Sequence, residues 1–506
     1  MSRLYRRAAP HWGLGLVLLA GIALRLVAVA AYWPGLWFPD TQRYLYYGVN
    51  PKPDPIRPIG YSVLLYAFRK AGFEVAAVTA AQHLIALALV VAVYAFLYRR
   101  GVPRWAAVLA VAPVALDGFE LLSERYVLSE TFFLTLLTAG VLLLLWKRRP
   151  GPVMLAAAGL VLGAAMLVRT VGVVVIVLAA LYLLLRWPGW LRVAAYAAGA
   201  VLVVGGYTVW FHSTNHVWAL STYQGRFLYG RVAPFADCDS TPVHGELRKL
   251  CENGHVYTDS NSYVWGKNSP ARQFDGDPQA SAKLQRFAVD VITHQPLAYT
   301  KVVTRESALF FAPWRDHAHQ IVLVDGRKVN CADWVYFPAD PVVSPSPRRS
   351  PSCAPLLLSY GLQLRPVSYH ADRGADRFLH GYQRYGYTPG PFLALCALAV
   401  VIAAFRRRVP WRDRLEVLFL GTAGVGLIVF AIATSLFDYR YGLPALVLLP
   451  AAGAMAYTQL RVRSPHHPAH EEAQRDRPAG SDSPAPVPER GGDAGGLRAE
   501  GPSLTG

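Results

Sequence analysis

The chain has 506 residues, of which 54% are hydrophobic and only 16% charged, and its formal net charge is +18. So little charge excludes an ordinary soluble globular protein and fits a chain that crosses a membrane many times. The basic excess flanks apolar runs, a pattern that sets orientation in a bilayer and excludes nucleic-acid binding as the reason for the charge.

Apolar runs near residues 12–33, 75–98, 103–117, 130–146, 152–168, 171–187, 191–211, 390–405, 415–436 and 443–460 predict about ten membrane helices, most of them approaching the roughly 20 residues that a crossing needs. Arg3, Arg6 and Arg7 precede the first run, but the run is too long for a signal peptide, contains Arg25 and lacks a small-residue cleavage site. It reads as a retained helix. Directly after it come Trp37-Phe38-Pro39-Asp40-Thr41, then Tyr44-Leu45-Tyr46-Tyr47-Gly48, then Arg57-Pro58-Ile59-Gly60-Tyr61. An acid at this position lies beside the lipid headgroups, where it can act on a substrate anchored in the bilayer. A solute carrier more often places its acids near the midplane. Residues 61–72 predict a short helix along the interface.

Residues 116–130 read as a loop between two spans and carry Glu124 and Glu130. These acids are six residues apart and do not share a helix face. Ser129 is a candidate N-cap for the next helix, and the charge of Glu130 suits that helix start. A structural pairing of either acid with Arg125 is the competing reading. Basic clusters recur at alternate ends of the spans: Arg6-Arg7, Arg99-Arg100, Lys147-Arg148-Arg149, Arg186 with Arg192, Arg406-Arg407-Arg408, and Arg461 with Arg463. An even number of spans gathers them on one face, which the positive-inside rule makes cytoplasmic, with both termini there.

Residues 212–389 form a long extracytoplasmic segment, expected to be of mixed structure and large enough for a domain. It holds Cys238, Cys251, Cys331 and Cys353. Outside the cytoplasm four cysteines favour two disulfides, most simply Cys238–Cys251 and Cys331–Cys353, although three pairings remain open. Cys396 lies in a span and reads as a small core residue. The stretch Phe437-Asp438-Tyr439-Arg440-Tyr441-Gly442-Leu443-Pro444 joins the last two spans and brings a third acid to the outer face. Residues 464–506 are Pro, Gly, Ser and charge, and predict a disordered tail. The expected organisation is therefore 1–211, 212–389, 390–463 and 464–506.

Weaker signals are better explained structurally. Asp237-Cys238-Asp239 spells a nucleotide-sugar motif, but on the wrong side of the membrane. Asp275-Gly276-Asp277 lacks the remaining pattern of a calcium loop. His212 and His216 lack the intervening acid of a zinc helix. His317, His319, His466, His467 and His470 read as solvated. No Walker loop or Rossmann fingerprint occurs.

The order of parts over residues 12–211 resembles the GT-C glycosyltransferases, in particular the branch that includes protein mannosyltransferases and lipid A aminoarabinose transferases. The shared features are a span, an outer loop with Asp40, the Arg57-Pro58-Ile59-Gly60-Tyr61 turn and further spans. Arg25, Arg169 and the late Arg440-Tyr441 before Pro444 fit the same pattern. The stretch 228–238 also resembles the outer domain of actinobacterial members. Many relatives carry Asp-Glu where this chain has Asp40-Thr41, so Glu124 or Glu130 is the candidate for the second acid. The resemblance implies an α-helical polytopic membrane enzyme that moves a sugar, with inversion, from a polyprenyl-phosphate donor to a cell-envelope acceptor: glycan, lipid or protein. Chemically such a transfer needs one carboxylate as general base and cations for the departing phosphate. The resemblance makes Asp40 the base, with Glu124 and Glu130 as further catalytic candidates. Arg57, Arg169 and Arg440 are candidates for substrate binding, as are Tyr44, Tyr61 and Tyr441, and Tyr47 belongs to the same aromatic set. A divalent metal at Glu124 and Glu130 stays open, although members of this branch often work without one. The alternative class is a transporter or flippase of lipid-linked precursors. A non-catalytic membrane scaffold ranks third.

Overall fold

A computed structural model describes residues 11–36, 38–251, 257–313, 323–324, 327–328 and 372–461. The expected Cys331–Cys353 bridge, the histidines at 317 and 319 and the tail at 464–506 lie outside them.

The chain begins with α1 (Trp12–Ala31), followed by two short helices, α2 (Pro39–Val49) and α3 (Gly60–Lys70). Next come α4 (Val75–Arg99), α5 (Arg104–Leu116), α6 (Gly118–Arg125), α7 (Glu130–Leu145), α8 (Pro152–Val168), α9 (Val173–Arg186) and α10 (Trp190–Asn215). By length and hydropathy, α1, α4, α10, Trp411–Thr434 and Tyr439–Arg461 are each long enough to cross a membrane. The α5–α6 pair, bent by 45°, can make a sixth crossing. Four further apolar helices are shorter: α7, α8, Thr170–Arg186 and Gly390–Phe405. The fold is thus a polytopic helical membrane protein, as expected.

The bend after α5 corrects the loop predicted over 116–130. Asp117 ends α5 and accepts hydrogen bonds from the backbone N–H groups of Phe119 (2.9 Å) and Glu120 (3.3 Å), which starts α6. An N-cap aspartate of this kind satisfies donors that a helix start leaves unpaired. Ser129, in contrast, stands at the N-cap of α7 without making a side-chain cap.

Helices α8 and α10 pack backbone against backbone. A Cβ at Gly159 would lie 2.1 Å from the Tyr196 carbonyl oxygen, and one at Gly199 would lie 2.2 Å from that of Ala156. With Gly163 one turn further, α8 carries a Gly-x-x-x-Gly stripe, the device that lets backbones pack closely where water supplies no drive for helix association.

The next segment contributes the helices α11 (Gln224–Val232), α12 (Ser260–Trp265), α13 (Ala280–His294) and α14 (Pro296–Ala308). It has its own core of Tyr229, Val232, Tyr263, Phe274, Leu284, Phe287 and Val291. The Cys238–Cys251 disulfide is present. The described strands are a minimal antiparallel pair, Leu323–Val324 with Arg327–Lys328, in which Leu323 faces Lys328. Buried Arg231 reaches Glu306 at 2.5 Å and the Ile432 carbonyl at 3.3 Å. The described residues end with α15 (Arg373–Tyr382), α16 (Gly390–Phe405), α17 (Trp411–Thr434) and α18 (Ala445–Arg461). At the helix ends away from α2, Glu416 holds both Arg100 (2.6 Å) and Arg186 (2.9 Å).

Candidate active site

The site starts with how α2 is anchored. After α1 the chain makes a parallel bridge with the 125–127 segment: the Leu36 N–H donates to the Arg125 carbonyl (2.8 Å) and the Val127 N–H to the Leu36 carbonyl (3.2 Å). Buried Thr41 completes the anchor. Its hydroxyl accepts from the Phe38 N–H and donates to the Val127 carbonyl, both at 3.0 Å. Thr41 therefore fixes the start of α2. Asp40, Arg43, Tyr44 and Tyr47 follow at positions i, i+3, i+4 and i+7, and so share one helix face.

That face borders a cavity of about 1140 Å³, larger than the roughly 300–1,000 Å³ of a typical small-molecule site. Asp40 Oδ1 accepts from Arg57 Nη2 at 2.7 Å, and Asp40 Oδ2 lies 3.7 Å from Arg440 Nη1. Arg440 also holds Asp438 (2.7 Å) and Glu130 (3.0 Å), and it lies over the Phe38 ring at 4.0 Å. Arg169 donates to the same Glu130 oxygen at 2.5 Å and lies 5.4 Å from the centre of the Tyr441 ring. Arg43 is paired with Asp54 at 2.5 Å. Four arginines thus face four carboxylates, Asp40, Asp54, Glu130 and Asp438. Burial works against the charge on Arg57, but the neighbouring Asp40 carboxylate outweighs it and raises its pKa above the ordinary arginine value. Burial also raises the pKa of the Tyr44 hydroxyl, which pairs with Ser129 at 3.1 Å.

The remaining walls differ in character. Val171, Val173, Phe430, Ala431 and Leu436 make an apolar side. Gln224, Phe227, Asn261, Trp265 and Gln285 come from α11, α12 and α13. The cavity thus draws on three of the expected segments: the part before residue 211, the 212–389 segment and the last helices.

Of the residues singled out from the sequence, Asp40, Tyr44, Tyr47, Arg57, Arg169, Arg440 and Tyr441 line this cavity. Glu130 sits behind it, buried against Arg169 and Arg440. Tyr61 is fully buried beneath Tyr44, with ring centres 5.1 Å apart, and its hydroxyl donates to Gln82. Glu124 does not line the cavity. It is sealed in the helix core, where Arg25 donates to it at 2.5 and 2.9 Å and His83 contacts it at 2.5 Å. Its partner is therefore Arg25. Arg125 instead donates to Thr79 and to the Tyr32 carbonyl. As Glu124 and Glu130 are each engaged by cations in separate clusters, they do not form a shared ligand pair. Among the described residues, no three His, Cys, Asp or Glu side chains gather as ligands.

The weaker signals also find partners. Asp275 pairs with Arg226 and Asp277 with Lys283, while His212 stacks on Trp218. Sequence reasoning missed Arg43, Asp54 and the α11–α13 wall. The spacing of Arg43 from Asp40 was a usable signal for the first, whereas nothing local marks Asn261 or Gln285.

The dolichyl-phosphate-mannose-protein mannosyltransferase family model matches residues 68–223. This bears out the GT-C resemblance read from the sequence. The matched stretch contains Glu130 and Arg169, starts after Asp40 and Arg57, and ends before Arg440. The crystal structure of the apo oligosaccharyltransferase of Archaeoglobus fulgidus is similar to this chain at a TM-score of 0.40 and 15% identity, covering 93% of this chain and 53% of that one. The chain thus spans about half the length of that protein. No curated protein matches it.

Proposed function

We propose that this protein is a membrane glycosyltransferase that moves a sugar, with inversion, from a polyprenyl-phosphate donor to a cell-envelope acceptor at the outer face. The observation that supports this reading most is the convergence of Asp40, three arginines and an apolar wall on one cavity. The apolar wall suits a prenyl tail, and Arg57, Arg169 and Arg440 suit the phosphate.

The ion pairs suggest an order of events. Before the donor binds, Arg57 donates to Asp40 Oδ1, so that oxygen is not free to take up the acceptor hydroxyl. A donor phosphate competes for Arg57 and Arg440 and so releases the Asp40 oxygens. In the transfer, the acceptor hydroxyl oxygen bonds to the anomeric carbon as the bond from that carbon to the phosphate oxygen breaks. The hydroxyl proton passes to Asp40, and the electron pair leaves with the polyprenyl phosphate, whose charge the arginines stabilise. Glu130, behind Arg169 and Arg440, acts as a positioning residue. The basic ends that Glu416 gathers away from α2 support the outer orientation.

The test is to supply membranes with a panel of radiolabelled polyprenyl-phosphate sugars and compare wild type with Asp40→Asn. Label should move to an acceptor in the wild type and not in the variant. Full transfer by a correctly inserted Asp40→Asn protein would overturn the assignment. Lipid flux without label transfer would favour the transporter reading.

A further inference from the structure

Another part of the cavity lining has a different chemistry. Gln224, Asn261 and Gln285 line it with Trp265 and Phe227. It carries amides and aromatics but no charge. Among the described residues none of the three amide side chains has a protein hydrogen-bond partner, and Gln224 and Gln285 are exposed. Trp265 is 39% exposed, and its ring is stacked on Tyr223 and met edge-on by Phe227, each at 5.8 Å. The indole is thus fixed in orientation while its remaining surface is open.

The fold brings these groups together through two glycines on α11. A Cβ at Gly225 would lie 1.8 Å from the Ser281 carbonyl oxygen, and one at Gly230 would lie 2.4 Å from Val264 Cγ2. Only a bare backbone lets α11 approach both α13, which carries Gln285, and α12, which carries Asn261 and Trp265. Asn261 and Trp265 are four residues apart, so they project from one face of α12. Asp259 caps the start of that helix by accepting from the Ser262 N–H at 2.8 Å.

We infer that this wall is a subsite for a neutral sugar ring of the acceptor, so that the acceptor is a glycan rather than a peptide or a charged headgroup. The inference rests on the glycosyltransferase reading and deepens it. A carboxamide offers two N–H donors and one carbonyl acceptor, which matches hydroxyls that both donate and accept. A rigid indole face matches the apolar face of a sugar ring. The three carboxamides match a peptide backbone as well as they match hydroxyls, so the open indole face carries the preference for a sugar ring, and the lack of charge among these lining residues argues against a phospholipid headgroup. A cavity larger than one ordinary ligand site leaves room for donor and acceptor side by side.

The experiment uses the purified full-length protein in nanodiscs. The probes are short mannan, arabinan and glucan oligosaccharides, with a Ser/Thr-rich peptide as the comparison, and binding is read by ligand-observed NMR and tryptophan fluorescence. At least one oligosaccharide should saturate. Its affinity should fall about ten-fold or more in Trp265→Ala and in the Asn261→Ala/Gln285→Ala double variant. Trp265→Phe should retain most of it, and the thermal transitions should match wild type. Absence of saturation by every oligosaccharide, saturation indifferent to Trp265, or saturation by the peptide instead would overturn the inference. In a transfer assay, a Trp265→Ala defect in the KM of the donor rather than of the acceptor would overturn it too. Loss of transfer in Asp40→Asn without oligosaccharide binding would leave the enzyme reading standing and remove only this one. Oligosaccharide binding with full transfer in Asp40→Asn would do the reverse to the general-base assignment.

Discussion

Two acid–arginine clusters, built around Glu124 and around Asp40 with Glu130, differ in what they leave accessible. In the first, Glu124 meets Arg25 and His83 and is entirely enclosed. Arg25 spends its other N–H groups on the carbonyls of Gly21, Val114 and Ala115, so it is saturated by the helices around it. In the second, Asp40 and Arg57 retain 15% and 24% side-chain exposure and border the large cavity. Arg440 there is divided among three carboxylates. The first cluster uses every N–H of Arg25 and holds α1, α4 and α6 together. The second still has contacts to exchange, which a binding site requires. Access distinguishes them, since residue type and pairing do not.

The comparison breaks most visibly at the sealed cluster. Glu124→Ala leaves the Arg25 charge buried and unpaired, which costs about 3–5 kcal/mol. It should yield little folded protein, read as loss of the thermal transition in detergent. A Glu124→Ala protein with wild-type Tm would remove the distinction. Next in size is Asp40→Asn, which should lower transfer about 10²–10⁴-fold with Tm nearly unchanged. Arg440→Ala should cost about 10²-fold in kcat by removing a cation at the departing phosphate, and Arg440→Lys should recover part of it. Tyr44→Phe removes one neutral hydrogen bond, to Ser129, and should cost about 1 kcal/mol of stability with a few-fold change in rate.

The smallest effect lies in the α11–α14 segment, away from either cluster. Hydrogen bonds from Lys283 and from the Gln279 N–H hold the Asp277 pKa below the ordinary aspartate value, while Asp277 and Glu246 raise that of Lys283. The stability from Asp277 is therefore present above the ordinary aspartate value and lost as pH falls through its lowered value. That from Lys283 is present below the ordinary lysine value and lost as pH rises through its raised one. Asp277→Asn should slightly flatten the acid limb of Tm against pH without altering transfer.

The apolar runs were legible because they follow from composition, and Asp40 was legible because it stands directly after the first of them. The chain alone could not separate Glu124 from Glu130. Both are acids near a span, and their difference is made by Arg25, 99 residues from Glu124, and by Arg440, 310 residues from Glu130. The α6 helix was hidden because a cap, rather than a long apolar run, starts it. The Trp265 wall was hidden because its side chains come from three short helices whose convergence depends on Gly225 and Gly230.

The reach of Arg231 has a practical consequence for grafting. It clasps Glu306 within its own segment and also donates to the Ile432 carbonyl at the end of α17, while the Tyr299 hydroxyl donates to that of Ala433. A chimera that cuts on either side of residues 212–313 would therefore sever two attachments to a helix more than a hundred residues downstream. To present its amide and indole wall in register, a transplanted module must bring the last turn of α17 with it.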